Sequence, residues 1–390
     1  MTNPAYVPLE TSSTHQKSAL NSGKQRKILI SSNGAWNLAN FRRPVIERLV
    51  AAGYEVVAAA PADGHERSLE ALGARFSPLL MRAAGTSPVD DSRLLLQYIT
   101  LLRAERPAYF LGFTAKPNIY GSLAARITGV PTIATISGLG SAFLKGGLLG
   151  RLVLGLYRAA LAKAQAVVFQ NADDRDLFVE RHIARPDQAR LVAGSGIDLD
   201  RFAPVPLPAG DGFTFLLIAR LLRDKGIVEF VEAARQLRVD YPNARFQLLG
   251  GPGGDNPSAV PEADLARWAA ESIVERLGVS DDVRPAIAAA DCVVLPSYRE
   301  GLPRSLLEGA AMGRPLIASD VPGCRDVVDH QVNGLLCEVQ SAVSLAAAMR
   351  RMIDLPLGDR VAMGMAGRHK VAAEYDQRLV ADFYLSEIAR

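Results

Sequence analysis

The feature that most constrains this chain is an apolar run that opens into a loop and restarts as a helix. Asp291-Cys292-Val293-Val294-Leu295-Pro296-Ser297 is short and β-branched, the pattern of a buried parallel strand. After Tyr298-Arg299-Glu300-Gly301-Leu302-Pro303, the apolar residues Leu306, Leu307, Ala310, Ala311 and Met312 recur at helical spacing. Pro303 suits a first helical turn, where its missing N–H costs nothing. Glu300 therefore falls in the loop and Glu308 inside the helix, with the run Arg304-Ser305 between loop and helix body. The same alternation opens the chain. Arg26 to Ser32 reads as a strand that runs into Asn33-Gly34-Ala35-Trp36, followed by a helix from Phe41 to Ala52 and a strand from Glu55 to Ala60. Repeated strand, loop and helix units predict doubly wound parallel sheets, which gather ligands at the carboxyl ends of their strands.

The chain has 390 residues, enough for two such domains. Pro204-Val205-Pro206-Leu207-Pro208 is a stiff linker and marks the expected boundary. The resulting division is a polar tail over 1–24, a first Rossmann-like domain over 25–203, a second over 204–376 and a last helix over 377–390. The tail lacks the apolar core of a signal peptide and is expected to be disordered. A net charge of +3 argues against bulk nucleic-acid binding. The three cysteines, Cys292, Cys324 and Cys337, suit neither a disulfide framework nor a zinc site, which favours a cytosolic setting. No stretch offers the run of about 18 apolar residues that a membrane span needs.

The spacing of Glu300 and Glu308 has a chemical meaning. At a rise of about 1.5 Å per residue, Glu308 lies about 7–8 Å along the axis from Pro303. The free N–H groups and positive dipole end at the helix start favour phosphate in the loop. Carboxylates before and beyond that end could grip hydroxyls on either side of a diphosphate, the layout of a nucleotide sugar. Alternatively, Glu300 is a solvated loop charge and Glu308 a charge on a helix face. Arg220, ending the strand Phe213 to Ala219, and Lys225, just before a helix starting near Ile227, supply two cations where a diphosphate would sit. By themselves they also fit an ordinary charged turn.

In the first half, strand ends place Asn33, Gly34, Trp36, Asn37, Phe41 and Arg42 near a cleft. Lys116, ahead of a helix opening at Pro117-Asn118-Ile119-Tyr120-Gly121, is placed for an anion or is an exposed loop lysine. The strand Val130 to Ile136 ends in Ser137-Gly138-Leu139-Gly140, which lacks the Gly-Lys-Ser/Thr ending of a P-loop. Between Leu139 and Ala172 there are four basic residues, Lys145, Arg151, Arg158 and Lys163, and no acidic one. As a helix they span an arc of about 140°. Such a face suits an anionic membrane surface, or simply a solvated helix packed on the sheet. Asp198 and Asp200, after a glycine turn, read as structural rather than as a metal pair.

The stretch from Tyr298 through Glu308, with its continuation Gly309-Ala310-Ala311-Met312-Gly313-Arg314-Pro315-Leu316-Ile317-Ala318-Ser319, resembles the paired-glutamate motif of family 4 glycosyltransferases. The resemblance covers almost the whole chain from Lys27. It implies the GT-B fold and retaining transfer with no cofactor and no essential metal. It implies that Glu308 holds the donor ribose, Glu300 the donor sugar, and Arg220 and Lys225 the diphosphate. Gly34, Gly301, Leu302, Pro303 and Ser305 complete the donor site, and Arg220, Lys225 and Glu300 are its catalytic set. Trp36, Asn37, Arg42, Lys116, Asn118 and Ser137 are expected on the acceptor side.

The runs Asn33-Gly34-Ala35-Trp36-Asn37, Lys116-Pro117-Asn118-Ile119-Tyr120-Gly121-Ser122 and Ile136-Ser137-Gly138-Leu139-Gly140 are similar to members that extend sugars on a polyprenyl-diphosphate carrier. That resemblance implies a UDP-N-acetylhexosamine donor, a lipid-linked acceptor and peripheral contact with the cytoplasmic face of the inner membrane, with no nucleic-acid partner. The chain departs from many relatives in having Ser137-Gly138 where they have a histidine, and no general base is assigned. A GT-B nucleotide-sugar epimerase and a non-catalytic nucleotide-sugar-binding scaffold are the rival readings.

Overall fold

The computed structural model describes residues 26–82, 87–138, 147–210, 212–254 and 256–390. The expected tail, and Leu139, Gly140 and Lys145, lie outside them. Seven strands build the first sheet: β1 (Lys27–Ser31), β2 (Glu55–Ala60), β3 (Ala74–Pro78), β4 (Tyr109–Phe113), β5 (Thr132–Ile136), β6 (Ala166–Phe169) and β7 (Ala189–Leu191). Their order is β3-β2-β1-β4-β5-β6-β7. Six strands build the second: β8 (Phe213–Ile218), β9 (Ala244–Leu249), β10 (Glu275–Gly278), β11 (Cys292–Leu295), β12 (Leu316–Ser319) and β13 (Gly334–Cys337), in the order β10-β9-β8-β11-β12-β13. All paired strands run parallel. Helices cover both faces, which is why the central strands read as unbroken apolar runs. Strand order reverses between β1 and β4 and between β8 and β11, so each sheet has a switch-point crevice at those carboxyl ends.

Several edge strands escape a pattern reading. Ala-Arg-Phe-Ser-Pro in β3 and Glu-Arg-Leu-Gly in β10 are polar and half exposed because only one neighbour and one face bury them. The expected helix from Phe41 to Ala52 is present as Arg43–Ala51, with Pro44 in its first turn. A separate helix, Ala35–Phe41, precedes it, and the two are broken at Arg42. Pro44 has no N–H to offer the carbonyl of Asn40, so the helical ladder stops and restarts. Arg304 from the second half of the chain takes up the orphaned carbonyl, its Nη1 donating to Asn40 O at 3.3 Å.

The two halves are tied at the linker and the C-terminus. Buried Arg314 donates to the carbonyls of Val205 and Pro206 at 3.0 and 2.8 Å, which seats the proline-rich segment on the second sheet's layer. The helix Gln377–Ala389 returns to the first half. It packs on Arg43–Ala51, and Val380, Tyr384 and Ile388 join the core around β1 and β4. Tyr384 Oη shares a 2.7 Å hydrogen bond with Thr135 Oγ1.

Candidate active site

The Glu300 loop follows β11, and its shape comes from the chain around it. Tyr298 N donates to Asp224 O at 2.9 Å, and Ser297 Oγ donates to the same carbonyl at 3.0 Å. These bonds draw the Arg223–Lys225 turn against the end of β11. Gly226 closes the turn at φ +73°, and a Cβ there would strike the Pro296 carbonyl. Only glycine allows both the left-handed backbone and that approach. The result is an ion pair between Lys225 Nζ and Glu300 Oε1, both side chains largely shielded from water. Arg220, at the end of the β8 strand, is exposed and has no ion-pair partner among the described residues.

Beyond the loop, the helix Arg304–Ala311 begins on Pro303, as its sequence predicts. Its first N–H groups have no acceptor four residues back and face the loop. Glu308 is buried and accepts from Arg304 Nε at 2.8 Å. Burial pushes its carboxyl above the ordinary value, and Arg304 opposes that shift. Arg201 and Asp282 also act electrostatically on Glu308, the first lowering and the second raising its carboxyl. Lys225, Glu300, the helix start and Glu308 thus form one continuous edge.

The other face of the loop is held by the first half of the chain, through residues that the sequence does not single out. Asn171 Nδ2 donates to Gly301 O at 2.7 Å, and Arg299 pairs with buried Asp174. Gly301 also lies so close to the Ser137 carbonyl that a Cβ would collide with it. Leu302 packs on Gly194 rather than pointing to solvent. The Glu300 loop is therefore the floor where the two sheets' carboxyl ends meet. An acidic helix start at Asp173 and Asp174 is a visible signal, but its target, Arg299, lies 125 residues away from Asp174.

The acceptor-side candidates divide. Trp36 is 45 % exposed, stands edge-on to Phe41 and donates its backbone N–H to Asp63 at 3.0 Å. Asn37 Oδ1 accepts from Ser32 Oγ at 2.8 Å beside Gly34, the cap residue of the first helix. Arg42 is buried, lies 4.4 Å over the Phe113 ring and reaches exposed Ser137 Oγ with Nη2 at 3.5 Å. Lys116 is already committed: its Nζ binds Asp91 at 2.8 Å, both side chains being mostly buried. Asn118 is buried and donates to Thr135 O at 2.7 Å, a bond that fixes the turn after β4 to β5. Ser305 lies in the first turn of the Arg304–Ala311 helix.

Asp198 accepts from the N–H groups of Asp200 and Arg201 at 3.1 and 2.9 Å, a turn built on its own backbone. Among the described residues no group of three or more His, Cys, Asp or Glu could hold a metal ion. Among them, too, no helix is long and apolar enough to cross a membrane.

Two parallel α/β sheets whose carboxyl ends meet at the Glu300 loop define the GT-B class of glycosyltransferase folds, and comparisons with known proteins agree. Residues 39–194 match the model of the glycosyl transferase 4-like domain, and residues 212–354 match glycosyl transferases group 1. The chain is 32 % identical over 309 residues to a D-inositol 3-phosphate glycosyltransferase of Frankia alni, covering 69 % of this chain and 72 % of that protein. It is 26 % identical over 377 residues to the N,N'-diacetylbacillosaminyl-diphospho-undecaprenol alpha-1,3-N-acetylgalactosaminyltransferase of Campylobacter jejuni, covering 92 % of this chain and 97 % of that protein. Its fold superposes on Anabaena HepE in complex with UDP and glucose with a TM-score of 0.77, at 18 % identity, over 94 % of this chain and 100 % of that one. The chain belongs to the group 1 and family 4 glycosyltransferases and is a hexosyltransferase.

Proposed function

We propose that this enzyme is a retaining transferase that moves N-acetylhexosamine from a UDP-sugar to a sugar on a polyprenyl-diphosphate carrier, in surface-polysaccharide or glycoprotein-glycan assembly. The observation that carries the reading is the edge formed by Lys225, Glu300, the start of Arg304–Ala311 and Glu308. It offers a cation, a carboxylate, free N–H groups and a second carboxylate in the order that sugar, diphosphate and ribose require. The Campylobacter jejuni relative, aligned over 97 % of its own length, is named for N-acetylgalactosamine transfer to such a lipid-linked sugar.

In this reading the unit over 25–203 takes the acceptor and that over 204–376 the donor, with 377–390 joining them. Lys225 leaves Glu300 and, with Arg220, neutralises the departing diphosphate, the kind of electrostatic help that dominates much of catalysis. Glu300, released from its ion pair, accepts from hydroxyls of the donor sugar and orients it. The acceptor hydroxyl attacks the anomeric carbon on the face that UDP leaves. The carbon–oxygen bond to phosphate breaks with its electron pair passing to the phosphate oxygen, which then takes the acceptor's proton. No side chain is needed as nucleophile or base. Glu308 holds the ribose.

The helix Gly147–Leu161 is the surface we assign to the cytoplasmic leaflet. Arg151 and Leu152 are exposed along it, Leu152 at 59 %, Lys163 is exposed just past its end, and Ile127 on the adjoining helix Ser122–Thr128 is 57 % exposed. Arg158 contributes less, because it donates to the carbonyls of Arg181 and His182 at 2.8 and 3.1 Å.

The test is UDP release from a panel of UDP-sugars, with and without polyprenyl-diphosphate-sugar. Release from one donor only when the lipid is present is the expected result. Donor binding without release under any acceptor would overturn the reading, and isomerised sugar in that mixture would favour an epimerase.

A further inference from the structure

Arg42 is a buried cationic side chain at the cleft that no carboxylate among the described residues answers. It is 4 % exposed, and its Nε and Nη1 are buried without an acceptor. The groups that act on it are the Phe113 ring, the exposed Ser137 hydroxyl, Tyr384 and another cation, Arg304. Tyr384 Oη is engaged with Thr135. Among the described residues no carboxylate pairs with Arg42. A guanidinium carries five donors and stays charged, so burying it half-satisfied is costly unless an anion from outside completes it.

Its place in the fold says where that anion would come from. Arg42 ends the first helix after β1, Phe113 ends β4 and Ser137 follows β5, so the three meet at the switch point of the first sheet. Ser137 in turn abuts Gly301, the neighbour of Glu300. One residue beyond Phe113, Thr114 has φ +127°, and its Oγ1 is buried without a partner. A β-branched residue there is an outlier of the kind that clusters at ligand sites. The unpaired donors of Arg42 lie on different edges of its fork. A diphosphate, with oxygens on two centres, can meet both where a lone carboxylate meets one.

We propose that Arg42, assisted by Thr114 Oγ1, is the site that recognises the diphosphate carried by the acceptor, and so selects carrier-linked over neutral sugars. The inference rests on the acceptor reading above, but one arm of its test does not. Calorimetric titration of the UDP-saturated protein with inorganic diphosphate should show one further site, weakened about 10- to 100-fold in Arg42→Gln and partly restored in Arg42→Lys. Unchanged affinity in Arg42→Gln, or no second site in the wild type, would overturn the proposal. Glucuronate binding as tightly as diphosphate with the same Arg42 dependence would replace the diphosphate with a carboxylate and also overturn it.

The second arm compares kcat/KM for N-acetylglucosaminyl-diphospho-farnesol and for the neutral benzyl glycoside. The wild type should prefer the diphosphate, and Arg42→Gln should lose that preference. Equal losses on both acceptors would reduce Arg42 to a structural role. Transfer to neither acceptor would sink the proposed function while leaving the titration to decide Arg42. Should Arg42→Gln fail to fold, Thr114→Val, with a few-fold weaker diphosphate site as the expected result, carries the same test.

Discussion

Lys225 and Glu300 form an ion pair that joins the turn after the first strand of the second sheet to the loop after its fourth. Under the proposed function, the pair lies where the donor's diphosphate and sugar meet, and substrate opens it. Each partner neutralises the other where both side chains are largely shielded from water.

Lys225→Ala should slow transfer about 100- to 1,000-fold, with a much smaller change in UDP-sugar KM, because the lost interaction grows as charge builds on the leaving group. Steady-state kinetics over a donor series would check it. A rise in KM with kcat unchanged would mean that Lys225 only binds the ground state.

Glu308→Ala should weaken uridine binding about 10-fold or more, since hydrogen bonds to a charged group contribute about 1.5–3 kcal/mol each. The pH dependence follows from burial. The folded-state carboxyl lies above its ordinary value of 4.5, so its stability contribution is full below that value and is lost as pH rises through the raised one. Ribose hydroxyls donate to the ionised form, so uridine binding should release a proton. Affinity should fall as pH drops, beginning above pH 4.5. Uridine, which has no phosphate to titrate, isolates the effect in calorimetry. A flat profile in the wild type matching that of Glu308→Gln would count against the ribose assignment.

Arg299→Ala removes the partner of Asp174, whose side chain is 1 % exposed. Leaving that carboxylate buried and unpaired should cost about 1–3 kcal/mol of stability and loosen the Glu300 loop. Denaturant unfolding should show a lower midpoint, and Asp174→Asn combined with Arg299→Ala should recover part of the loss. An unchanged midpoint would show that water replaces the pair.

Gly226→Ala places a Cβ against the Pro296 carbonyl at a left-handed residue. The backbone term alone is about 1–2 kcal/mol, and the collision must push the Lys225 turn off β11. Melting temperature and kcat should fall together. A stable variant with normal turnover would show that the turn can shift without moving Lys225.

The central strands and the division of Glu300 into a loop and Glu308 into a helix were legible because they depend on neighbours in the chain. An apolar run, Pro303 and the spacing from Leu306 to Met312 are local signals. The edge strands β3 and β10 were not legible, since their partners on one side supply the ladder that their polar residues do not advertise. The helix Ala35–Phe41 was not legible either, because Asn33-Gly34-Ala35-Trp36 reads as the loop after a strand and the helical spacing is taken up only at Phe41.

Side-chain commitments are what only the tertiary structure decided. Lys116 looks available in the sequence, yet Asp91 from the preceding helix holds it. Arg42 looks like one more cleft arginine, yet it is buried over Phe113 with donors unmet. Lys225 and Glu300 lie 75 residues apart, and Arg299 and Asp174 lie 125 apart. The local pattern of a chain sets which elements form and which end of each strand carries polar groups. Which charges meet there depends on how two sheets and a returning helix pack. Electrostatic pairing acts through space over a few ångströms, and linear spacing does not encode that distance.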